Sequence, residues 1–287
     1  MTDDGDMTVA LLHPGEMGAA VGACLVSRGI RVVWASQNRS AASRKRACEA
    51  GIEDCQTLDR ALVAASEAGG AVLSICVPSG ALNLAREVAS CHFRGTYIDA
   101  NAISPDHARE IGRLVEQSGA TFVDGGILGL PPTPTRTVRL YLSGSQAPAI
   151  AALFKGSQTE AIAMEGAPGA ASALKVCYAA WNKGETALLG IIRSLARYEG
   201  VDEPLLRELD ISHPGAAKRS DQIAARAFKA WRWAGEMEEI AASFDAANIP
   251  SGFLANAEIY RRLADYKACP EPPSSEEVSA RLRRNRQ

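Results

Sequence analysis

Short apolar runs alternate with helix-period segments over the first half of the chain. Residues 9–12 (VALL) read as a buried strand, and 15–28 as a helix whose small residues face a sheet. A second strand is expected at 31–35 (RVVWA) and a second helix at 40–50, opened by Ser40 as N-cap. Residues 71–77 (AVLSICV) and 96–100 (TYIDA) read as further strands, with Pro78 ending the first. The segment 104–119 has the marks of a bounded helix: Ser104 as N-cap, Pro105 at the first helical position, Gly119 at the end. Strands at 121–124 and 138–144 follow, separated by a loop, GGILGLPPTPTRT. Strand–helix alternation of this kind predicts a parallel, doubly wound α/β sheet with right-handed crossovers.

From about Gly166 the pattern becomes helical only. One long helix is expected over 168–198, interrupted by Gly184 and Gly190 and stopped at Gly200. Shorter helices are expected near 203–209, 215–229, 234–247 and 252–267, and CPEPPSSEE reads as a departing, poorly ordered tail. The expected organisation is an α/β domain over 1–165, an all-α domain over 166–268 entered by the long interdomain helix, and a flexible tail over 269–287. No internal repeat is present.

Composition narrows the partners. The chain has 287 residues and a formal net charge of −2. It lacks the basic field that nucleic acid or an anionic membrane requires. The Arg-rich end, RLRRNRQ, is the local exception and reads as a solvated tail. Seven cysteines are dispersed without C-x-x-C or histidine pairing, which fits reduced thiols and no metal site. The acidic start, MTDDGDM, is unlike a signal peptide, and no apolar run is long enough to span a bilayer. A cytoplasmic location is expected.

The stretch LLHPGEMG lies between the first strand and the first helix, where a dinucleotide loop G-x-G-x-x-G belongs. Gly15 and Gly18 fill its second and third glycine positions, while His13 and Pro14 stand at the first turn. Gly15 would let the backbone approach a pyrophosphate, and the start of the helix, with Glu16 and Met17, would offer amides to it. The alternative is a plain strand-to-helix turn. Beyond the second strand, no acid occurs from Arg31 to Cys48, where an NAD site places Asp or Glu on the ribose. Ser36, Asn38, Arg39 and Ser40, followed by Arg44, Lys45 and Arg46, suit a 2′-phosphate instead, so NADP is expected.

With these residues in place, the sequence resembles the β-hydroxyacid dehydrogenase superfamily, which includes 3-hydroxyisobutyrate and 6-phosphogluconate dehydrogenases. The resemblance runs from about residue 7 to 265. It is greatest to a subgroup grouped with phosphogluconate dehydrogenases whose helical C-terminal domain has no assigned function. LLHPGEMG matches the family's glycine loop and NRS its NADP-type Asn-Arg-Ser/Thr. YIDANAISP matches D-x-S-T-x-S-P, FVDGGILG matches V-D-A-P-V-S-G, and GAPGAASALK keeps the spacing to the family's lysine. The resemblance implies a Rossmann-type NADP domain, with cofactor contacts extending to Cys76, Val77, Pro78, Asn101 and Ala102. It implies Lys175 as general acid and base, a small-molecule substrate between the domains, and a homodimer built on the C-terminal helices. A lysine that protonates a forming alkoxide, and accepts the proton in reverse, is sound chemistry for hydride transfer to a carbonyl.

Departures from the family pattern fall on the substrate side. Ala179 stands where the family commonly has Asn, and Tyr178 or Asn182 are the candidates to replace it, against simple packing roles. Leu128, before Gly129, stands for the carboxylate-binding serine, and Asn101-Ala102 for Ser-Thr. Gly235 aligns with a second lysine. Both named substrates are therefore poor guesses. Trp231, Arg232, Trp233 and Glu236 offer replacement aromatic and charged groups, although at most one of the two tryptophans can face a cleft. SHPG reads as a turn at a helix start. Two rivals remain: an imine reductase on the same scaffold, and a nucleotide-binding protein without turnover.

Overall fold

Strand β1 (Thr8–Leu12) shows why the sheet is covered on both sides: all five residues are buried. Val9 and Leu11 enter one apolar core, and Ala10 and Leu12 the other, as the two-residue period of a strand requires. A computed structural model describes residues 7–67, 69–269 and 271–283. The acidic start (1–6) and residues 284–287 of the Arg-rich end lie outside the described residues.

The chain divides after Val176 into two compact units. In the first, β1 is followed by α1 (Glu16–Val26), β2 (Arg31–Trp34), α2 (Ala41–Glu49), β3 (Glu53–Asp54), α3 (Leu58–Glu67) and β4 (Ala71–Ser74). Then come α4 (Ala81–Ser90), β5 (Thr96–Asp99), α5 (Pro105–Gln117), β6 (Thr121–Leu128), β7 (Val138–Ser143), α6 (Ala147–Leu153) and β8 (Thr159–Ala163). The sheet order is β3-β2-β1-β4-β5-β6-β7-β8. Helices α1, α2 and α6 supply one core, α3, α4 and α5 the other. This is the doubly wound, Rossmann-type arrangement that the alternation predicts.

The sheet departs from the expected parallel pattern at one step. Strand β6 continues through Leu128, and β7 pairs with it antiparallel, Asp124 opposite Ser143. The segment between them holds no helix, and a parallel crossover needs one or an equally long connection. Strand β3, helix α6 and strand β8 escape the sequence reading because their patterns are short. Ser40 and Ser104 cap α2 and α5 as expected, accepting from the amides of Ser43 and His107.

Helix α7 (Ala170–Tyr198) runs unbroken for 29 residues, so Gly184 and Gly190 do not interrupt it. Each glycine costs about 1 kcal/mol of helix propensity; at Gly190 the neighbour is Ile223, which an added Cβ would meet at 2.4 Å. The first turns of α7 pack on β6, which places the division between units inside the helix rather than at residue 165.

The second unit continues with α8 (Asp202–Ser212), α9 (Ala216–Ser220), α10 (Gln222–Ala225), α11 (Ala230–Ala246), α12 (Phe253–Arg262) and α13 (Ser275–Arg283). Buried Arg193 ties α7 to Asp202 of α8 and Ser220 of α9. The expected tail needs correction, because α13 buries Val278, Ser279 and Leu282. Arg197 donates to the Ser275 carbonyl and the Ser279 hydroxyl, and Arg262 donates to the Leu282 carbonyl. The apolar spacing of α13 is a short amphipathic stripe that the preceding prolines obscure. Among the described residues, no helix is long and apolar enough to cross a membrane.

Candidate active site

The site grows from strand ends. In a doubly wound sheet the strand order reverses next to the first strand, and ligands bind at the carboxyl ends there. Here the reversal lies between β1 and β4. His13 to Gly18 follow β1, Ser36 to Ser40 follow β2, Cys76 to Pro78 follow β4, and Asn101 with Ala102 follows β5. The fold therefore brings every candidate cofactor residue to one edge of the sheet.

The loop after β1 keeps the glycine-loop geometry without its first glycine. His13 has a left-handed backbone, φ 67°, and the Gly15 amide turns back to the His13 carbonyl at 2.7 Å. Histidine is among the few side chains that visit this region with some frequency. Gly15 is the N-cap of α1, and no side chain caps the helix. A Cβ on Gly15 would meet nothing within 4 Å among the described residues, so the loop faces open space there. On Gly18 it would lie 2.7 Å from the His13 carbonyl oxygen, which explains the glycine.

Arginines from the β2–α2 segment clasp this loop. Arg39 Nη1 donates to His13 Nδ1 at 3.1 Å, and Arg46 Nε donates to the Pro14 carbonyl at 3.1 Å. Arg44 reaches the Ser36 carbonyl. Burial first, and the Arg39 charge second, hold the His13 imidazole down to about 4. The ring is neutral at pH 7.

A row of polar residues crosses the sheet where its strands end. Ser74 pairs with Asp99, Asp99 with Asp124, and Asp124 with Ser143. All four are fully buried, and each must be hydrogen-bonded to be tolerated. Asp99 accepts from the Asn101 amide and side chain, both at 2.9 Å. Burial pushes the Asp99 carboxyl up to about 7, against the lowering effect of those bonds. Asn101 also donates to the Ser74 hydroxyl and accepts from the Cys76 amide. Both hydrogens of the Asn101 side chain are thus engaged in joining the loops after β4 and β5. Burial, with Asp99 second, pushes the Cys76 thiol up to about 12, so it is not a thiolate. Val77 is exposed, and Pro78 opens a single 3₁₀ turn.

Asp124 carries the row to α7. Its carboxylate accepts from the amides of Gly169 (2.9 Å) and Ser172 (3.0 Å) and from the hydroxyls of Ser143 and Ser172. This satisfies donors at the helix start and sets a negative charge against its dipole. One turn later, Lys175 Nζ donates to the Ile127 carbonyl at 2.5 Å. Gly126 makes the approach possible: a Cβ there would lie 2.6 Å from the Ala171 oxygen and 3.1 Å from Lys175 Cβ. The ammonium is thereby held against the part of β6 that runs past Asp124, where the register with β5 ends, at the same end of the sheet as the cofactor candidates. Asp99, Asp124, Ser143 and Ser172 escape the sequence reading; an acid closing each of two apolar strands, YID and FVD, is the signal that was present.

The substrate-side candidates are more scattered. Leu128 is buried at the end of β6, and Gly129 follows it with φ 133°. In the second unit, Tyr178 is exposed and Asn182 donates to its carbonyl. Asn182 also lines a cavity of about 230 Å³ with Glu185, Thr186, Lys218, Arg219 and Arg226. Glu236 is paired with Lys183, both largely buried. Trp233 is buried edge-on against Tyr260, whereas Trp231 is partly exposed beneath the Lys267 ammonium. The two tryptophans take different surroundings, as their spacing requires. His213 and Gly215 form the turn between α8 and α9. Among the described residues, no three His, Cys, Asp or Glu side chains cluster as a metal site.

Comparison with known proteins agrees with this architecture. Residues 8–151 match the family of the NAD binding domain of 6-phosphogluconate dehydrogenase. Residues 196–263 match a domain of unknown function, DUF1932. No curated protein matches the sequence. Among solved structures, the conserved protein MTH1747, of unknown function and structurally similar to 3-hydroxyacid dehydrogenases, is 26% identical. It aligns over 95% of this chain and 99% of its own, with a TM-score of 0.70. Mycobacterium tuberculosis 3-hydroxyisobutyrate dehydrogenase, solved with L-serine, is 20% identical, with 97% and 99% covered and a TM-score of 0.71. An imine reductase from Bacillus cereus is 17% identical, with 97% and 100% covered and a TM-score of 0.57. The last two show the shared fold. With half of its length matched by the family's dinucleotide domain and its second half carrying the helical domain of unknown function, the chain belongs to the β-hydroxyacid dehydrogenase superfamily.

Proposed function

We propose that the protein is an NADP-dependent oxidoreductase that interconverts a carbonyl and an alcohol on a small-molecule substrate, with Lys175 as general acid and base. The observation that carries the reading is one shared end of the sheet: the loops after β1, β2, β4 and β5 follow the carboxyl ends of their strands, and the Lys175 ammonium is held at Ile127, on the part of β6 that runs past the end of β5.

The residues fit a dinucleotide, since the face of Gly15 is open and no side chain caps α1. His13 to Gly18 would hold the pyrophosphate, and Ser36, Asn38, Arg39 and Ser40 the 2′-phosphate. Cys76, Val77, Pro78, Asn101 and Ala102 would line the path to the nicotinamide. When bound, that group supplies or accepts the hydride. Lys175, fixed by the Ile127 carbonyl, opposes the negative charge developing on the substrate oxygen and passes it a proton; in oxidation it takes the hydroxyl proton. Of the substrate candidates, Asn101 and Leu128 are buried, and Asn101 and Glu236 are engaged with other side chains, which leaves Gly129, Tyr178, Asn182 and Trp231 as the candidates not so held.

The exposed face of α7 supports a homodimer. Trp181, Leu188 and Leu195 recur every seven residues and are 70%, 52% and 62% exposed, a stripe that water does not favour and a second copy would cover.

The test begins with thermal shifts for NADPH and NADH, then follows NADPH oxidation with aldehydes, keto acids and cyclic imines. NADPH is expected to stabilise more, and Lys175→Ala to lose about 10²-fold or more in turnover with cofactor binding retained. Greater stabilisation by NADH would sink the cofactor assignment, and wild-type turnover by Lys175→Ala would sink the acid–base role. Turnover of imines alone would make the protein an imine reductase; binding without any turnover would make it a non-catalytic nucleotide-binding protein.

A further inference from the structure

His13 stands where a dinucleotide loop ordinarily has glycine, and it holds a left-handed backbone, φ 67°. A side chain in that region costs more than glycine, so its retention calls for a compensating contact. The structure offers one. Arg39 Nη1 lies 3.1 Å from His13 Nδ1. A guanidinium only donates, so Nδ1 accepts and the ring proton sits on Nε2. Nε2 itself is buried and has no hydrogen-bond partner among the described residues, so the ring is not there for the sake of that nitrogen. Burial and the neighbouring Arg39 keep the imidazole uncharged down to about pH 4, which preserves the acceptor at any ordinary pH.

The other arginines of the segment are engaged with main chain. Arg46 holds the Pro14 carbonyl and Arg44 the Ser36 carbonyl. Among the described residues, the Arg39 side chain is bound through Nη1 alone, to the histidine, and it is half-buried. Its Nε and Nη2 donors form the edge that binds phosphate in a two-pronged manner. A flexible arginine would lose rotamer freedom on taking up that pose, and one already tethered loses less.

We propose that His13 is a positioning residue for cofactor choice: it holds Arg39 through Nδ1 so that the rest of the guanidinium is set for the 2′-phosphate of the adenosine ribose. The inference rests on the NADP reading above and deepens it. The apparent defect in the glycine loop is then a coupling, in which the pyrophosphate loop and the 2′-phosphate selector are fastened to each other.

Fluorescence titration of NADPH and NADH gives the dissociation constants for wild type, His13→Gly, His13→Asn and Arg39→Ala. His13→Gly suits the left-handed backbone and is expected to fold, while losing about tenfold in preference for NADPH over NADH, the worth of one charge-assisted hydrogen bond. In His13→Asn the amide oxygen takes the place of Nδ1, and asparagine tolerates the backbone; it is expected to restore most of the preference. Arg39→Ala is expected to lose the preference outright, and His13→Gly to add nothing on top of it. A merely structural role would weaken both cofactors equally, and that result overturns the proposal. So does a His13→Gly protein with wild-type preference. A wild type that binds NADH as well as NADPH refutes the NADP reading instead, and the two failures are told apart by the wild-type ratio.

Discussion

Asp124 offers the sharpest test of how the lysine is held. Its carboxylate is fully buried and accepts from two amides at the start of α7, those of Gly169 and Ser172, and from two serine hydroxyls. Replacing it with alanine strips the acceptor from both amides. Each buried donor left unmade costs about 1–3 kcal/mol, and the lost charge at the helix start adds up to about 2 kcal/mol. The hydroxyls can turn elsewhere and are left out. A loss of about 2–8 kcal/mol is therefore expected for Asp124→Ala. Asp124→Asn keeps one oxygen for the amides and turns its NH₂ toward the Ser172 hydroxyl, which can accept. The loss there is the difference between charged and neutral hydrogen bonds, about 1–2 kcal/mol. Urea unfolding gives the ranking. Hydrogen exchange at residues 166–176 reports the same loss locally, even if the two units unfold in separate steps. The expected order is wild type above Asn above Ala, with protection lost first at Ser172. An alanine variant within about 0.5 kcal/mol of wild type, the spread of ordinary surface changes, with unchanged exchange at Ser172, would refute the idea that Asp124 fastens this helix to the sheet.

Two further outcomes follow from the same geometry. Burial raises Asp99 to about 7, whereas an unfolded aspartate titrates near 3.9. The folded state binds the proton more tightly, so this contribution is full below about pH 4 and is lost as pH rises through about 7; Asp99→Asn should remove that slope from a series of thermal melts, and an unchanged slope would count against it. Leu188→Glu, on the exposed apolar face of α7, should move a micromolar sample toward monomer in sedimentation without unfolding it, since a charge there is harmless only when no partner covers it; a wild type already monomeric would remove the dimer from the proposal.

Much of the first unit was legible from the chain because its signals are local. Apolar strands flanked by helix caps at Ser40 and Ser104, and glycines at 15 and 18, need only neighbouring residues to be understood. The long helix is legible for the same reason, although its two internal glycines suggest breaks that packing removes. The helix α13 was not, because a stripe of Val278 and Leu282 means little until Arg197 and Arg262 arrive to fix its ends.

What the sequence determined alone is the kind of fold and the kind of loop: a doubly wound sheet, a glycine-punctuated turn and a lysine at the family's spacing. Tertiary structure decided which groups meet. His13 and Arg39 are 26 positions apart, and Ser172 and Asp124 are 48; no periodicity links them. The pairing of Ser74, Asp99, Asp124 and Ser143 exists only because sheet register aligns four strand ends. Local pattern fixes dihedrals and burial, which are properties of short segments. Hydrogen-bond partnership depends on distances that only the assembled sheet sets.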